Sequence, residues 1–308
     1  MDDLDVKNAR GTLLIAGGTG FVGEHLVRGA LNRGYDVSVI SLHIPIPSKL
    51  MNGVKYYAVN ICNLNALCSV MPSNEFDYVI NLSGYVDHSG YRDGGDKVIE
   101  AHFNGVVNLV DFLDWSALKN FIQVGSSDEY GGCDAPQCED MREDPISPYS
   151  FSKVSACHFL QMLGRSEKFP SVILRFFLVY GPGQAINRFI PQIISGCLND
   201  EAFDTSSGGQ LRDFCHIDDI VKGVFCALEH RGLYGEVVNL ASGQPVKIRY
   251  IVDLIQRLVG AGRPNFGRVP YRSNENMALY ADISKAKKLL SWSPLVSLED
   301  GISKLINQ

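Results

Sequence analysis

Thr12-Leu13-Leu14-Ile15-Ala16-Gly17-Gly18-Thr19-Gly20-Phe21-Val22-Gly23 is the stretch on which the reading of this chain turns. An apolar, strand-like run leads directly into a glycine pattern that satisfies Gly-x-x-Gly-x-x-Gly from Gly17 and Gly-x-Gly-x-x-Gly from Gly18. Glu24 to Asn32, with apolar Leu26, Val27, Ala30 and Leu31, then has helical periodicity and stops near Gly34. In this order, missing Cβ atoms let backbone N–H groups and the positive end of a helix approach a pyrophosphate. A glycine turn serving only strand-to-helix packing is the alternative, and the flanking strand and helix argue against it. Gly17, Gly20, Phe21, Val22 and Gly23 are therefore predicted to hold a dinucleotide.

The same rhythm continues outward. Val37–Ile40, Tyr56–Val59, Tyr78–Leu82, Phe121–Val124 and Val172–Phe176 read as further strands, with helices most clearly over Val98–Leu113 and Tyr149–Leu163. Alternating strands and helices predict an α/β fold, a doubly wound parallel sheet of the Rossmann type. After Tyr180-Gly181-Pro182-Gly183 the rhythm becomes irregular, punctuated by Pro191, Pro245, Pro264, Pro270 and Pro294. The expectation is a dinucleotide-binding domain over 1–180 and a smaller C-terminal substrate-binding lobe over 181–308. Val237-Val238-Asn239-Leu240 is apolar enough to return to the main sheet.

Composition narrows the class. The chain has 308 residues, 45% apolar, and 28 basic against 34 acidic side chains for a net charge of −6, which fits a folded globular protein and excludes disorder or collagen. That charge gives no general attraction to nucleic acid or anionic lipid. The start, Met1-Asp2-Asp3-Leu4-Asp5, lacks the basic residues and apolar run of a signal peptide, and no apolar stretch reaches membrane-spanning length. A cytoplasmic location is expected. Eight cysteines without a Cys-x-x-Cys pair read as reduced, mostly packed thiols. Cys133 and Cys138 have no second pair or histidine cluster nearby, so no metal site is expected.

An acidic residue normally ends the second strand of such a fold and holds the ribose 2′-hydroxyl. Ser41 stands there instead, followed by Leu42 and His43. Without a carboxylate to repel a 2′-phosphate, NADP(H) is favoured and NAD(H) permitted; His43 or Lys49 supplies positive character. Asn60, after the third strand, is placed to reach the adenine edge, and Ile61, Leu82, Ser83 and Gly84 complete the predicted cofactor set at the strand ends.

Tyr149 and Lys153 are four residues apart, on one face of a helix. An ammonium beside a phenol favours the phenolate and brings the tyrosine toward working pH as a general acid or base. Alone, this would be an ordinary surface pair. Gly125-Ser126-Ser127-Asp128-Glu129-Tyr130 changes the weighing, because it follows the fifth strand at the carboxyl edge of the sheet. There Ser126 can share a substrate oxygen with Tyr149 while hydride moves to or from carbon.

These motifs resemble those of extended short-chain dehydrogenases/reductases, in the nucleotide-sugar epimerase/dehydratase/reductase family. The resemblance covers nearly the whole chain and extends to Leu174–Gly183, Leu211–Asp219, Ala281–Ala286 and Trp292-Ser293-Pro294. It implies that Tyr149 is the catalytic acid/base, that Lys153 binds the nicotinamide ribose and tunes Tyr149, and that Ser126 contacts the sugar oxygen. It further implies that Arg212 and Arg272 grip a nucleotide-sugar diphosphate, guanidinium forks being suited to phosphate. Loops containing Val86 and Arg188 would set sugar and base specificity, with Ser127 also toward substrate. Asp218 and Asp219 read as helix-start residues rather than catalysts. The resemblance also implies a homodimer formed through the helices at 98–113 and 154–163.

Two departures from the family pattern stand out: Leu178 and His102 each occupy a position where asparagine is usual. Ser127 and Asp128 fall at the acid and base positions of 4,6-dehydratases, but aspartate is one methylene shorter than the usual glutamate. The similar GDP-4-keto-6-deoxymannose reductases carry aspartate at this place. The pattern is thus closest to NADPH-dependent reductases of nucleotide 4-keto-6-deoxy sugars, with Ser126, Asp128, Tyr149 and Lys153 as the catalytic set. NAD-dependent 4-epimerisation or 4,6-dehydration is the alternative, and a catalytically silent dinucleotide sensor or scaffold is the alternative of a different class.

Overall fold

The computed structural model describes residues 10–72, 76–271 and 275–307. Its first strands are β1 (Thr12–Ala16), β2 (Asp36–Ser41), β3 (Val54–Ala58), β4 (Tyr78–Asn81), β5 (Asn120–Ser126) and β6 (Ser171–Phe176). After β7 (Leu178–Tyr180), β8 (Ala202–Thr205) and β9 (Leu211–His216), β10 (Glu236–Leu240) rejoins them in a seven-stranded sheet of order β10-β6-β5-β4-β1-β2-β3. β1 runs parallel to β2 and β4, with Ile15 opposite Val39 and Ile80. Leu13, Leu14, Ile15 and Ala16 have no exposed surface, as expected of a parallel strand covered on both faces. The doubly wound sheet expected from the alternating pattern is the observed fold, including the returning strand near 237–240.

The strand order reverses between β1 and β4, so connections leaving their carboxyl ends diverge around a crevice. Helices α1 (Phe21–Asn32), α2 (Leu64–Val70), α3 (Gly95–Ile99), α4 (Gly105–Phe112) and α5 (Pro148–Ser166) connect the strands or cover them. The expected single helix over 98–113 is interrupted by a π-turn at Glu100–Asn104. Immediately after it, Gly105 lies so close to Ile61 that a Cβ would meet its Cδ1 at 2.7 Å. α5 begins one residue before the predicted start because Pro148 fits the first helical turn and Ser147 forms a capping box with Ser150.

The chain divides into two compact units, neither continuous in sequence. One comprises Met1–Glu129, Pro145–Arg175 and Val224–Val238; the other comprises Tyr130–Asp144, Phe176–Gly223 and Asn239–Gln308. The expectation drew a single boundary after 180, whereas residues 130–144 group with the second unit and 224–238 with the first. Within the second unit, β9 pairs in parallel with β7 and antiparallel with β11 (Pro245–Lys247). Buried Asp213 pins this arrangement by accepting from the Ser242 N–H at 2.7 Å, the Ser242 hydroxyl at 2.6 Å and the Gly243 N–H at 2.9 Å.

The cysteines are reduced, but fewer are packed than expected. Cys157, Cys197 and Cys215 are buried, whereas Cys68 and Cys226 are exposed and the remaining three are half-buried. Cys68 lies on the solvent side of its helix, where a thiol replaces no core contact. Among the described residues, no helix is long and apolar enough to cross a membrane.

Asp218 and Asp219 do begin a helix, α6 (Phe189–Leu198) being followed by α7 (Ile217–Glu229), yet their environments differ. Asp218 is exposed, while Asp219 is fully buried and its Oδ2 accepts from the N–H groups of Leu295 at 2.9 Å and Val296 at 2.8 Å. The Asp219 carbonyl also accepts from the Trp292 indole at 3.0 Å. Asp219→Ala is expected to destabilise the protein by about 1–3 kcal/mol in denaturant unfolding, because the Leu295 and Val296 N–H groups lose the buried side chain that accepts from both. Asp218→Ala should change stability by less than about 0.5 kcal/mol.

Candidate active site

The first unit brings the predicted cofactor residues to the carboxyl ends of its strands. The Gly17 N–H donates to Ile40 O at 2.8 Å and the Leu82 N–H to Ala16 O at 2.9 Å, so the turns after β1 and β4 are locked to neighbouring strands. Gly17 adopts φ +80°, and a Cβ there would lie 3.0 Å from the Leu82 carbonyl and the Ser83 nitrogen. Gly23 is tighter, since its Cβ would meet Gly17 O at 2.3 Å. Gly20 is different. It is exposed, precedes α1, and has only Gly17 O, at 3.5 Å, near a hypothetical Cβ. The start of α1 carries no side-chain cap. Open backbone at an uncapped helix start fits a pyrophosphate, and these residues therefore suit a dinucleotide.

At the end of β2, the half-buried Ser41 hydroxyl donates to His43 O at 2.6 Å. Asn60 is exposed and accepts from the Cys62 N–H at 3.0 Å, while Ile61 is buried. After β4, Asn81 holds the Ser83 N–H at 3.0 Å and its hydroxyl, and itself donates to Gln123 Oε1 at 2.9 Å. Val86 is exposed.

Gly84 connects this cradle to the tyrosine. It has φ +109°, and a Cβ would come within 2.1 Å of His102 Cε1. The π-turn directs His102 inward, with Nε2 2.8 Å from Tyr85 O and 3.2 Å from Tyr85 N. Its ring stands edge-on to Tyr149 with centroids 5.0 Å apart. Continuous contact therefore runs from Gly17 through Leu82, Ser83, Gly84 and His102 to Tyr149. Burial, reinforced by the Lys153 charge, pushes the His102 pKa down to about 3. The ring is neutral at working pH.

Tyr149 and Lys153 are 7% and 5% exposed. The Lys153 ammonium lies 5.9 Å from the Tyr149 ring centroid and donates to Val124 O at 2.8 Å. Burial pulls its pKa down to about 8 while the Glu129 charge pulls it up. On another side of Tyr149 stands His88, edge-on at 5.6 Å between centroids, with Nε2 3.7 Å from Asp128 Oδ2. Asp128 is joined to Ser126, whose hydroxyl accepts the Asp128 N–H at 3.1 Å. Ser127 is buried, 3% exposed. Thus Ser126, Asp128, Tyr149 and Lys153 form one contact network with His88 and His102.

In the second unit, Arg212 is mostly buried; one guanidinium nitrogen donates to Leu211 O at 2.8 Å and another pairs with Glu275. Arg188 is exposed at the start of α6, and Leu178 is 38% exposed. Arg272 lies outside the described residues. Sequence reasoning missed His88, Glu129, Arg175 and Glu275. Arg175 carried a readable signal, because an arginine inside the apolar run Val172–Phe176 demands a buried partner.

Comparison with known proteins agrees with this arrangement of elements. The profile of the NAD dependent epimerase/dehydratase family matches residues 13–241. A UDP-glucuronate 4-epimerase of Thermodesulfobacterium geofontis is 29% identical over 318 residues, covering 96% of this chain and 95% of the relative. A dTDP-4-dehydro-6-deoxyglucose reductase of Escherichia coli is 26% identical over 305 residues, covering 96% of each. The crystal structure of a Bacillus cereus UDP-glucuronic acid 4-epimerase with UDP-glucuronic acid and NAD has a TM-score of 0.84 at 29% identity, covering 96% of this chain and 99% of that one.

The buried imidazole carries a pH prediction. His102 has a folded pKa of about 3 against an ordinary 6.5, so in that window the unfolded chain binds the proton and the folded one does not. Stability is therefore lost as pH falls below 6.5. Replacing the ring by His102→Asn should remove this contribution, lowering the slope of unfolding free energy against pH by up to about 1.4 kcal/mol per unit in urea titrations.

Proposed function

The chain belongs to the NAD dependent epimerase/dehydratase family, and within it we propose that it reduces the C4 keto group of a nucleotide-diphosphate 4-keto-6-deoxy sugar with NADPH. The observation that carries the proposal is the buried Lys153 ammonium beside Tyr149, in unbroken contact with the glycine turn through His102 and Gly84. Gly17, Gly20, Phe21, Val22 and Gly23, with Ser41, Asn60, Ile61 and Leu82–Gly84, are the residues that would hold the dinucleotide. Lys153 would hold its nicotinamide ribose. When bound, the nicotinamide supplies the hydride.

The protein supplies the proton. Tyr149 gives its phenolic proton to the C4 oxygen, and the positive charge of Lys153 stabilises the phenolate left behind. The Ser126 hydroxyl orients the carbonyl, with Val86 and Ser127 toward the substrate. Each reduction consumes one proton, so Tyr149 must be recharged.

Two observations support reduction with NADPH. Ser41 leaves the end of β2 without a carboxylate, its hydroxyl turned to its own loop, so nothing there repels a 2′-phosphate. Asp128 is aspartate and faces His88, and the E. coli relative is named as a 4-keto sugar reductase. Epimerisation at C4 with retained NAD is the second reading, favoured by the likeness to the two 4-epimerases. It would use Ser126, Tyr149 and Lys153 in the same roles.

Mixing the purified protein with nucleotide 4-keto-6-deoxy sugars and either NADPH or NADH separates the readings. Reduction predicts stoichiometric loss of reduced nicotinamide, faster with NADPH; interconversion of C4 epimers without net cofactor change would establish the second reading instead. Tyr149→Phe should lower kcat by about 10²–10⁴-fold with dinucleotide affinity preserved. Unchanged biological activity of that variant would point to a sensor rather than an enzyme.

A further inference from the structure

Glu129 and Arg175 form an ion pair with no exposed side-chain surface, directly behind the proton-transfer residues. The Arg175 Nε donates to Glu129 Oε2 at 2.7 Å. The other carboxylate oxygen, Oε1, accepts the Ser126 N–H at 2.8 Å. Space for this carboxylate depends on Gly125: a Cβ there would lie 2.5 Å from Glu129 Oε1 and 3.2 Å from Arg175 Cγ. The end of β5 is thereby gripped twice, at Val124 O by Lys153 and at Ser126 N by Glu129.

An ion pair in such a place needs a reason. Replacing buried pairs by apolar residues of similar volume is often neutral or stabilising, so the fold alone gives little cause to keep one. Lys153 provides a cause. It is buried, and an isolated buried ammonium tends to become neutral, which would remove the charge that Tyr149 needs. The groups around it are Tyr149 on its own helix, neutral His102 from the π-turn, Glu129 from the turn after β5, and Arg175 on β6 behind Glu129, beside Cys157 of α5. Glu129 supplies the negative charge in this set.

We propose that Glu129 and Arg175 are positioning residues of the proton-transfer site: Glu129 fixes the Ser126 backbone and supplies the carboxylate that partners the buried Lys153 ammonium, and Arg175 holds that carboxylate in place through its Nε. The assignment deepens the proton-transfer reading of the same site and rests on it. Burial and Glu129 do act in opposite directions on Lys153, with burial the larger effect. Nothing is transferred to or from Glu129; it acts through its charge and its hydrogen bond.

The test reads the Lys153 proton directly and needs no sugar substrate. Protein labelled with ¹³C-lysine is titrated by NMR, the Lys153 resonance being assigned from its loss in Lys153→Met. Glu129→Gln, which keeps the volume, should lower the Lys153 midpoint by about one unit or more. Arg175→Met should lower it in the same direction, because the Glu129 carboxylate loses the bond that holds it in place. Glu129→Gln/Arg175→Met contains no buried charge of this pair and should fold with the midpoint still lowered.

A midpoint unchanged in folded Glu129→Gln and in the double variant would overturn the assignment. So would a double variant that fails to fold, because the pair would then serve the fold rather than the site. In turnover assays, the alkaline limb of kcat should move to lower pH with the NMR midpoint, whereas a merely structural role would lower kcat evenly across pH. Failure of the reductase assay leaves the NMR result intact, so the two readings fail separately.

Discussion

Lys153 carries an ammonium to a position only 5% exposed, where a lone charge loses its hydration and is driven to shed its proton. Most of the first unit's functional architecture answers that difficulty. A strand carbonyl accepts its hydrogen bond, a carboxylate three residues past Ser126 offsets its charge, and an aromatic ring stands close enough to benefit from it. The same low-dielectric surroundings that make the ammonium hard to keep also strengthen its influence on the phenol. In solvent, the four-residue spacing of Tyr149 and Lys153 would be an ordinary surface pair.

Close approach is the second requirement, and it is met largely by subtraction. Gly17, Gly23 and Gly84 each remove a Cβ that would collide with backbone or with His102, which lets the turns after β1 and β4 come together at the reversal of strand order. Gly20 removes one that would collide with nothing in the protein, leaving its backbone open to a ligand. The distinction matters chemically. Three glycines build the cradle, and the fourth keeps it accessible.

The doubly wound sheet was legible because its evidence is local: apolar strands, the glycine turn and the helical periodicity all lie within short segments. Tyr149 with Lys153 was legible for the same reason, since helical spacing fixes their common face. The side chains packed against the pair come from far along the chain. His88 and His102 reach Tyr149 from separate turns, and Glu129 meets Arg175 across 46 positions. The π-turn was unreadable because 98–113 has an unbroken apolar helical pattern, and the widening is imposed by packing around Gly84 and Ile61. Likewise, Arg212 reads as a free anion clamp in sequence, but its pairing with Glu275 depends on tertiary approach.

The widened turn at 100–104 has a consequence for how this region tolerates changes in length. It accommodates about one residue more than a regular helix would over the same rise. Deleting a single residue here would restore regular helix over the same rise and leave α4 in register with the sheet. What the extra residue secures is the imidazole, which the widened turn seats over Gly84. Loss of one residue is therefore open to this segment at the cost of that seat, and homologous chains lacking the extra residue must seat a different side chain against the turn.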